Sequence, residues 1–184
     1  AELLSHMEPD ESAEVLRDLD EEHSESILSQ MSPAMAKQLR RLVQFDETHA
    51  GGIMTTHLLI VKESDTVADA LQLLIENQER DISDGVTVVD TKGKLLDHIQ
   101  IIELIAAKPS AKLETLVRAP FPTAVGIDTA LEDVIEEFSN NRGSSVIVVD
   151  EKGKPVGRIL ADDIIDAMVP AENSGLAQGT GALS

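Results

Sequence analysis

Apolar positions along this chain follow more than one rhythm. Over residues 7–42 the pattern recurs every twelve residues, with Met7-Glu8-Pro9, Leu19-Asp20-Glu21 and Met31-Ser32-Pro33 opening three units. Leu16, Ile27-Leu28 and Leu39 supply the apolar positions further along each unit. Pro9 and Pro33 suit the first turn of a helix, where a backbone donor has no partner to lose. This spacing predicts short helices stacked as a small solenoid. Beyond residue 64 the pattern becomes a duplication, because residues 65–105 and 128–165 are two copies of one unit. Asp65-Thr66 answers Asp128-Thr129, and VVDTKGK at 88–94 answers VVDEKGK at 148–154. The offset is 63 residues at the start and 60 at the end, which places about three extra residues between helix and strand in the first copy.

Both copies share one grammar. Thr66-x-x-Asp69 and Thr129-x-x-Glu132 are capping-box signatures that open helices. Val67, Ala70, Leu71, Leu74 and Ile75 then recur at helical spacing, as do Leu131, Val134, Ile135 and Phe138. The β-branched runs Val86–Val89 and Val146–Val149 predict buried strands. Asp90-Thr91-Lys92-Gly93 and Asp150-Glu151-Lys152-Gly153 are turn chemistry that closes hairpins. A second strand and a closing helix follow through Ile99–Ile105 and Arg158–Met168, and a short strand precedes each unit at Leu59–Val61 and Thr123–Val125.

The doubled V-V-D-x-x-G-K turn over residues 54–169 resembles a tandem pair of CBS domains. The segment before it reads Phe45-Asp46-Glu47-Thr48-His49-Ala50-Gly51-Gly52-Ile53-Met54-Thr55. Helical repeats, then D-x-x-x-A-G-G-I-M-T, then a CBS pair together resemble the cytosolic region of MgtE-type magnesium transporters. The resemblance implies an α+β chain: a short all-α superhelical segment, then two β-α-β-β-α units forming a disc. It divides the chain into a partial helical N-type domain at 1–50, a first CBS domain at 51–110, a second at 111–169 and a flexible tail at 170–184. It implies a regulatory module rather than an enzyme, a homodimer through the CBS pair, and a transmembrane pore domain in the same polypeptide. It also implies a place on the cytoplasmic side of the cell membrane.

Composition narrows the chemistry. The chain has no cysteine, tryptophan or tyrosine and three phenylalanines, so its core is aliphatic and thiolate metal sites are excluded. No apolar run reaches the ~18–20 residues of a spanning helix, so the piece is expected to be a soluble fragment. The net charge is −19 over 184 residues, and residues 1–30 hold ten acids against one base, Arg17. Such a surface repels nucleic acid and anionic lipid and attracts divalent cations. Magnesium is hard, prefers oxygen ligands and retains water, so a few carboxylates per ion suffice. The plain alternative is that most of these acids only solubilise helix faces.

The resemblance points to metal-binding acids at the junction and on the second CBS copy. The candidates are Asp46, Glu47, Gly51 through its carbonyl, Glu132, Asp162 and Asp163. Each has a structural alternative: Glu132 as a capping residue, Asp162 and Asp163 at a helix N-terminus that favours negative charge, and Gly51-Gly52 as a turn. Asn140-Asn141-Arg142-Gly143 stands where the family pattern often has an acid. The CBS nucleotide motif G-h-x-[ST]-x-x-[DN] is degraded in both copies. Leu160 replaces the hydroxyl residue in Gly157–Asp163, and Asp97, Gln100 and Glu103 depart from the motif in the first copy. Adenine nucleotide is therefore disfavoured as a ligand, with Asp163 its best ribose contact. Five histidines, at 6, 23, 49, 57 and 98, form no i, i+4 pair, and no nucleophile elbow or P-loop appears. The leading reading is a Mg2+-sensing domain that gates a magnesium transporter. The alternatives are a nucleotide-sensing CBS module regulating a partner domain and a purely structural dimerisation domain.

Overall fold

The computed structural model describes residues 2–77, 84–118, 124–141 and 145–168. The expected tail at 170–184, Thr123 and Arg142 lie outside these residues. Helices α1 (Pro9–Arg17), α2 (Glu21–Leu28) and α3 (Pro33–Leu42) start twelve residues apart, and the residues before them are Glu8, Asp20 and Ser32. The period is thus a capping period. Asp20 accepts from the His23 N–H at 2.9 Å and Ser32 Oγ from the Met35 N–H at 3.3 Å, satisfying donors that a helix start leaves open. Leu16, Leu28, Leu39 and Leu42 point into a shared core, which makes the small solenoid expected from the repeat.

A short helix, α4 (Ala50–Ile53), leads into the duplicated part. The first copy is β1 (Ile60–Lys62), α5 (Val67–Glu76), β2 (Gly85–Val89), β3 (Leu95–Gln100) and α6 (Ile101–Ala106). The second is β4 (Ala124–Gly126), α7 (Leu131–Asn141), β5 (Ser145–Val149), β6 (Pro155–Leu160) and α8 (Ala161–Met168). Each copy builds one three-stranded sheet, parallel between its first two strands and antiparallel across the hairpin. Asp90 Oδ1 accepts from the Lys92 and Lys94 N–H groups, and Asp150 Oδ1 does the same for Lys152 and Lys154. Gly93 and Gly153 close these turns at φ 79° and 74°. This is the α+β architecture that the resemblance implied.

One detail of the duplication differs. Thr66 caps α5 as expected, its side chain accepting from the Asp69 N–H. In the second copy the residue whose carbonyl takes the first helical bond is Ala130, not Thr129. The offset at the helix start is therefore 64 rather than 63, and the extra residues in the first copy number four. The reason is tertiary. The Leu131 N–H donates to the Thr48 carbonyl at 2.8 Å, while Ala50 and Gly51 N–H groups donate to the Thr129 and Ile127 carbonyls at 2.8 Å each. The starts of α4 and α7 thus cap each other with backbone, and no hydroxyl is needed at Ala130.

That reciprocal cap locks the N-terminal helices to the second copy. Ala50 and Met54 are buried in a single core with Leu16, Leu39, Val134, Val148 and Ile159. The first copy keeps its own core around Val67, Val86, Ile99, Leu104 and Leu113. Thr55 pairs with Arg158 through both backbone groups at 2.9 Å, so the junction adds a short rung to β6. It crosses at Gly157, where a Cβ would lie 2.5 Å from Met54 Sδ and 2.8 Å from the Thr55 carbonyl oxygen.

The tightest approach among the described glycines is at Gly52, where a Cβ would come within 1.8 Å of the Asp46 carbonyl oxygen. Backbone cannot yield as a flexible side chain does, so we expect Gly52→Ala to cost at least the ~1–3 kcal/mol of an overpacked core. Gly153→Ala meets open space and should cost only the ~1–2 kcal/mol of a left-handed alanine. Thermal melts of the two variants check this order.

Candidate functional site: an acidic cleft at the junction

The solenoid, the junction and the last helix meet around a cleft of about 670 Å³. Its walls carry Asp10, Glu11, Glu14 and Asp18 from α1 and its C-cap, Asp46 and Glu47 from the junction, and Asp163 and Asp166 from α8. Asp10, Glu14 and Asp18 lie at i, i+4 and i+8, which brings like charges onto one helix face at a cost to an isolated helix. The elements hold them there because the opposite face of α1, through Ala13 and Leu16, is buried in the core.

Among the described residues Arg17 is the one cation on the cleft wall, and it serves the backbone. Its Nη1 donates to the Phe45 carbonyl at 2.6 Å and the Leu42 carbonyl at 3.4 Å, satisfying the C-terminal end of α3. Among the described residues no Lys or Arg lies within ion-pair distance of the eight carboxylates. Thr56 Oγ1 donates to Asp10 at 2.5 Å and so ties the solenoid to the junction.

Two of these acids differ sharply in state. Asp46 accepts from the Thr48 hydroxyl, the His49 ring and the Thr48 N–H, and these bonds pull its pKa down to about 2. Asp163 goes the other way. Burial pushes its pKa up, opposed by the Leu160 N–H at 2.7 Å and the charge of Arg158 and helped by the charges of Asp162 and Asp166. Asp163 thus carries a carboxylate whose charge is poorly solvated and faces other negative charge.

Of the residues singled out from sequence, Asp46, Glu47 and Asp163 line this cleft. Asp163 also caps α8 by accepting from the Leu160 N–H. Gly51 is buried, its N–H bound to Ile127 and its open side filled by Ile127 and Phe45. Glu132 and Asp162 are exposed and are not among the residues lining the cleft; Asp162 Oδ1 accepts from the Asp163 N–H at 3.2 Å. Asp10, Glu11, Glu14, Asp18 and Asp166 were missed. The i, i+4 spacing on α1 was the available signal. No group of three or more acids or histidines among the described residues is close enough to enclose a metal ion directly. Hard oxygen donors spread over three elements instead suit a hydrated cation that bridges walls through its own water.

The two degraded nucleotide motifs have structural occupations. In the first copy Asp97 accepts from the Arg118 N–H at 3.0 Å, and Glu103 from the Gln100 N–H at 3.2 Å. In the second, Gly157 is where the junction crosses β6.

Residues 1–48 match the MgtE intracellular N domain, and residues 50–110 and 101–170 match the CBS domain. The magnesium transporter MgtE of Thermus thermophilus is 28% identical over 200 residues, covering 91% of this chain and 43% of its own length. The chain spans less than half the length of the curated relatives it matches. Among solved structures, the soluble part of a magnesium transporter superposes with a TM-score of 0.77 at 25% identity, covering 89% of this chain and 64% of that one. The cytosolic domain of the Mg2+ channel MgtE in complex with ATP gives 0.76 at 27% identity, covering 91% and 68%. Among the described residues no helix is long and apolar enough to cross a membrane.

Asp163 provides a direct check on the charge balance of the cleft. Its folded pKa lies above the unfolded 3.8, so its contribution is fully present below that pH and is lost as pH rises through the raised folded value. At pH 7 its ionisation therefore costs stability. Asp163→Asn keeps an oxygen for the Leu160 N–H and loses the charge. In divalent-free buffer at pH 7 it should melt about 1–3 °C higher than the parent protein, with the difference vanishing near pH 3.

Proposed function

The chain belongs to the CBS-domain family, with an MgtE intracellular N domain ahead of its tandem pair, and from that premise we propose that it is a cytosolic, non-enzymatic Mg2+ sensor gating a magnesium transporter. The observation that carries this reading is the acidic cleft: eight carboxylates from three elements, with no described Lys or Arg in ion-pair reach. Without divalent cations these walls repel. Hydrated Mg2+ between them would offset the repulsion and favour the closed arrangement, with Asp46, Glu47 and Asp163 as the acids brought together from different elements. A pore attached in the same polypeptide would sense the difference between closed and open. Differential affinity of the two states for the ion is all that such coupling requires.

Millimolar Mg2+ should therefore raise the melting temperature and reduce the radius of gyration. A single site at a hundredfold excess over its dissociation constant contributes about 2.7 kcal/mol. Replacing Asp46 and Glu47 together by Asn and Gln should blunt that response while the fold stays intact. Melting points and scattering curves that match between Mg2+ and NaCl of equal ionic strength would sink the reading.

The same reading places a second copy of the chain on the outer helices of the CBS pair. Ile102 and Ile105 on α6 and Ile165 and Met168 on α8 are all more than 60% exposed. The 105 and 165 positions are equivalent in the two copies, so one apolar face repeats along the chain, and a two-fold dimer would bring the same patch of two chains together. Sedimentation at tens of micromolar should give a dimer mass, and Ile105→Glu with Ile165→Glu should give a monomer.

The ATP complex of the similar Mg2+ channel domain favours a second reading, in which an adenine nucleotide binds this CBS pair as well. It weighs more for nucleotide than the sequence did. Leu160 and Asp97 still stand where a phosphate-binding hydroxyl and a glycine would be. Calorimetry with ATP and with Mg2+ separates the two: micromolar ATP affinity beside an unchanged Mg2+ response in the Asp46–Glu47 double variant would reverse the ranking.

A further inference from the structure

The two CBS copies meet at a partly buried ionic cluster, centred on the buried Arg158, that the acidic cleft does not involve. His98 on β3 and Arg158 on β6 occupy equivalent positions, opposite Thr87 and Ile147 in the two hairpins. Both reach one carboxylate. Asp84 Oδ1 lies 3.0 Å from Arg158 Nη1 and 3.0 Å from His98 Nε2, and Asp84 Oδ2 accepts from Ser145 Oγ at 3.0 Å. The His98 ring is held from its other side by the Thr87 hydroxyl, 3.3 Å from Nδ1. Arg158 is 2% exposed, and its Nε has no hydrogen-bond partner. Asp84 is its one acidic partner among the described residues. A buried guanidinium without a counter-ion is strongly unfavourable.

Among the described residues, three donors from two different copies therefore converge on the two Asp84 oxygens. This is the arrangement by which proteins hold a carboxylate or phosphate ligand, here occupied by the chain's own side chain. We propose that Arg158, Ser145 and His98 form an anion-binding cradle between the copies, which Asp84 plugs from within, and that a small carboxylate enters it only when the Asp84 carboxylate is removed. The plug fastens one copy to the other and keeps external anions from Arg158. An anionic group of a ligand can use this cradle only by displacing Asp84. Because Arg158 also pairs through its backbone with Thr55, the plugged cradle and the junction are held by the same residue.

The test is chemical rescue in the full chain. Asp84→Ala removes a carboxylate the size of formate and leaves Arg158 unpaired. Its melting temperature should fall by roughly 10 °C. Sodium formate at about 100 mM should recover at least about half of that loss by occupying the vacated place. Sodium chloride of equal strength should not, and the parent protein should respond to neither. Asp84→Ala combined with Arg158→Met removes the orphaned charge, so it should melt higher than Asp84→Ala alone and lose the formate response. If Asp84→Ala does not fold in chloride, refolded yield in formate against chloride reads the same effect. Equal outcomes in formate and chloride overturn the proposal. So does a formate response that persists without Arg158, or one of the same size in the parent protein.

Discussion

Like charges face each other across a cleft whose walls are held near each other by one shared hydrophobic core. Leu16 and Leu39 of the solenoid and Val134, Val148 and Ile159 of the second copy are parts of one buried cluster. The reciprocal backbone caps between α4 and α7 fix the junction to that core. Yet α1 and α8 bring their acids toward Asp46 and Glu47 with no Lys or Arg paired to them among the described residues. Burial of apolar surface holds the walls near each other, and electrostatics pushes them apart. A balance of this kind shifts with the cation content of the solvent, since a few kcal/mol of ion binding is comparable with what separates two such arrangements.

Glycines set the geometry of that balance. Gly52 lets the turn carrying Asp46 and Glu47 fold back onto the start of α4, and Gly157 lets the junction lie against β6. The acids on the junction and those on α8 are thereby brought to one opening. On the far side of β6, Arg158 reaches the first copy through Asp84. The junction, the second copy and the first copy are linked in series by a short run of backbone pairs and an ion cluster around the buried Arg158.

Much of this was legible from sequence, and for identifiable reasons. The twelve-residue period marked helix starts because Pro9, Asp20, Ser32 and Pro33 belong at such positions. The D-x-K-G turns declared their hairpins through the same Asp and Gly that make their hydrogen bonds. Thr129 misled because Thr-x-x-Glu matches a capping box in one dimension, whereas α7 is capped by the carbonyl of Thr48, far away in sequence. Asp46, Glu47 and Asp163 were marked by the family resemblance. The stripe at Asp10, Glu14 and Asp18 read as an ordinary solvated face, because nothing in the sequence says which partner that face meets. That Arg17 would be spent on the carbonyls of Leu42 and Phe45, leaving those acids without a paired Lys or Arg among the described residues, is a three-dimensional fact.

The most direct test of the proposed balance is the distance across the cleft. The chain has no cysteine, so spin labels at Val15→Cys on α1 and Ala161→Cys on α8 would report it alone, diluted into unlabelled protein. The account predicts a broad, long distance distribution in chelator that narrows and shortens on adding Mg2+ and does not respond to NaCl of equal ionic strength. Identical distributions with and without Mg2+ would contradict it.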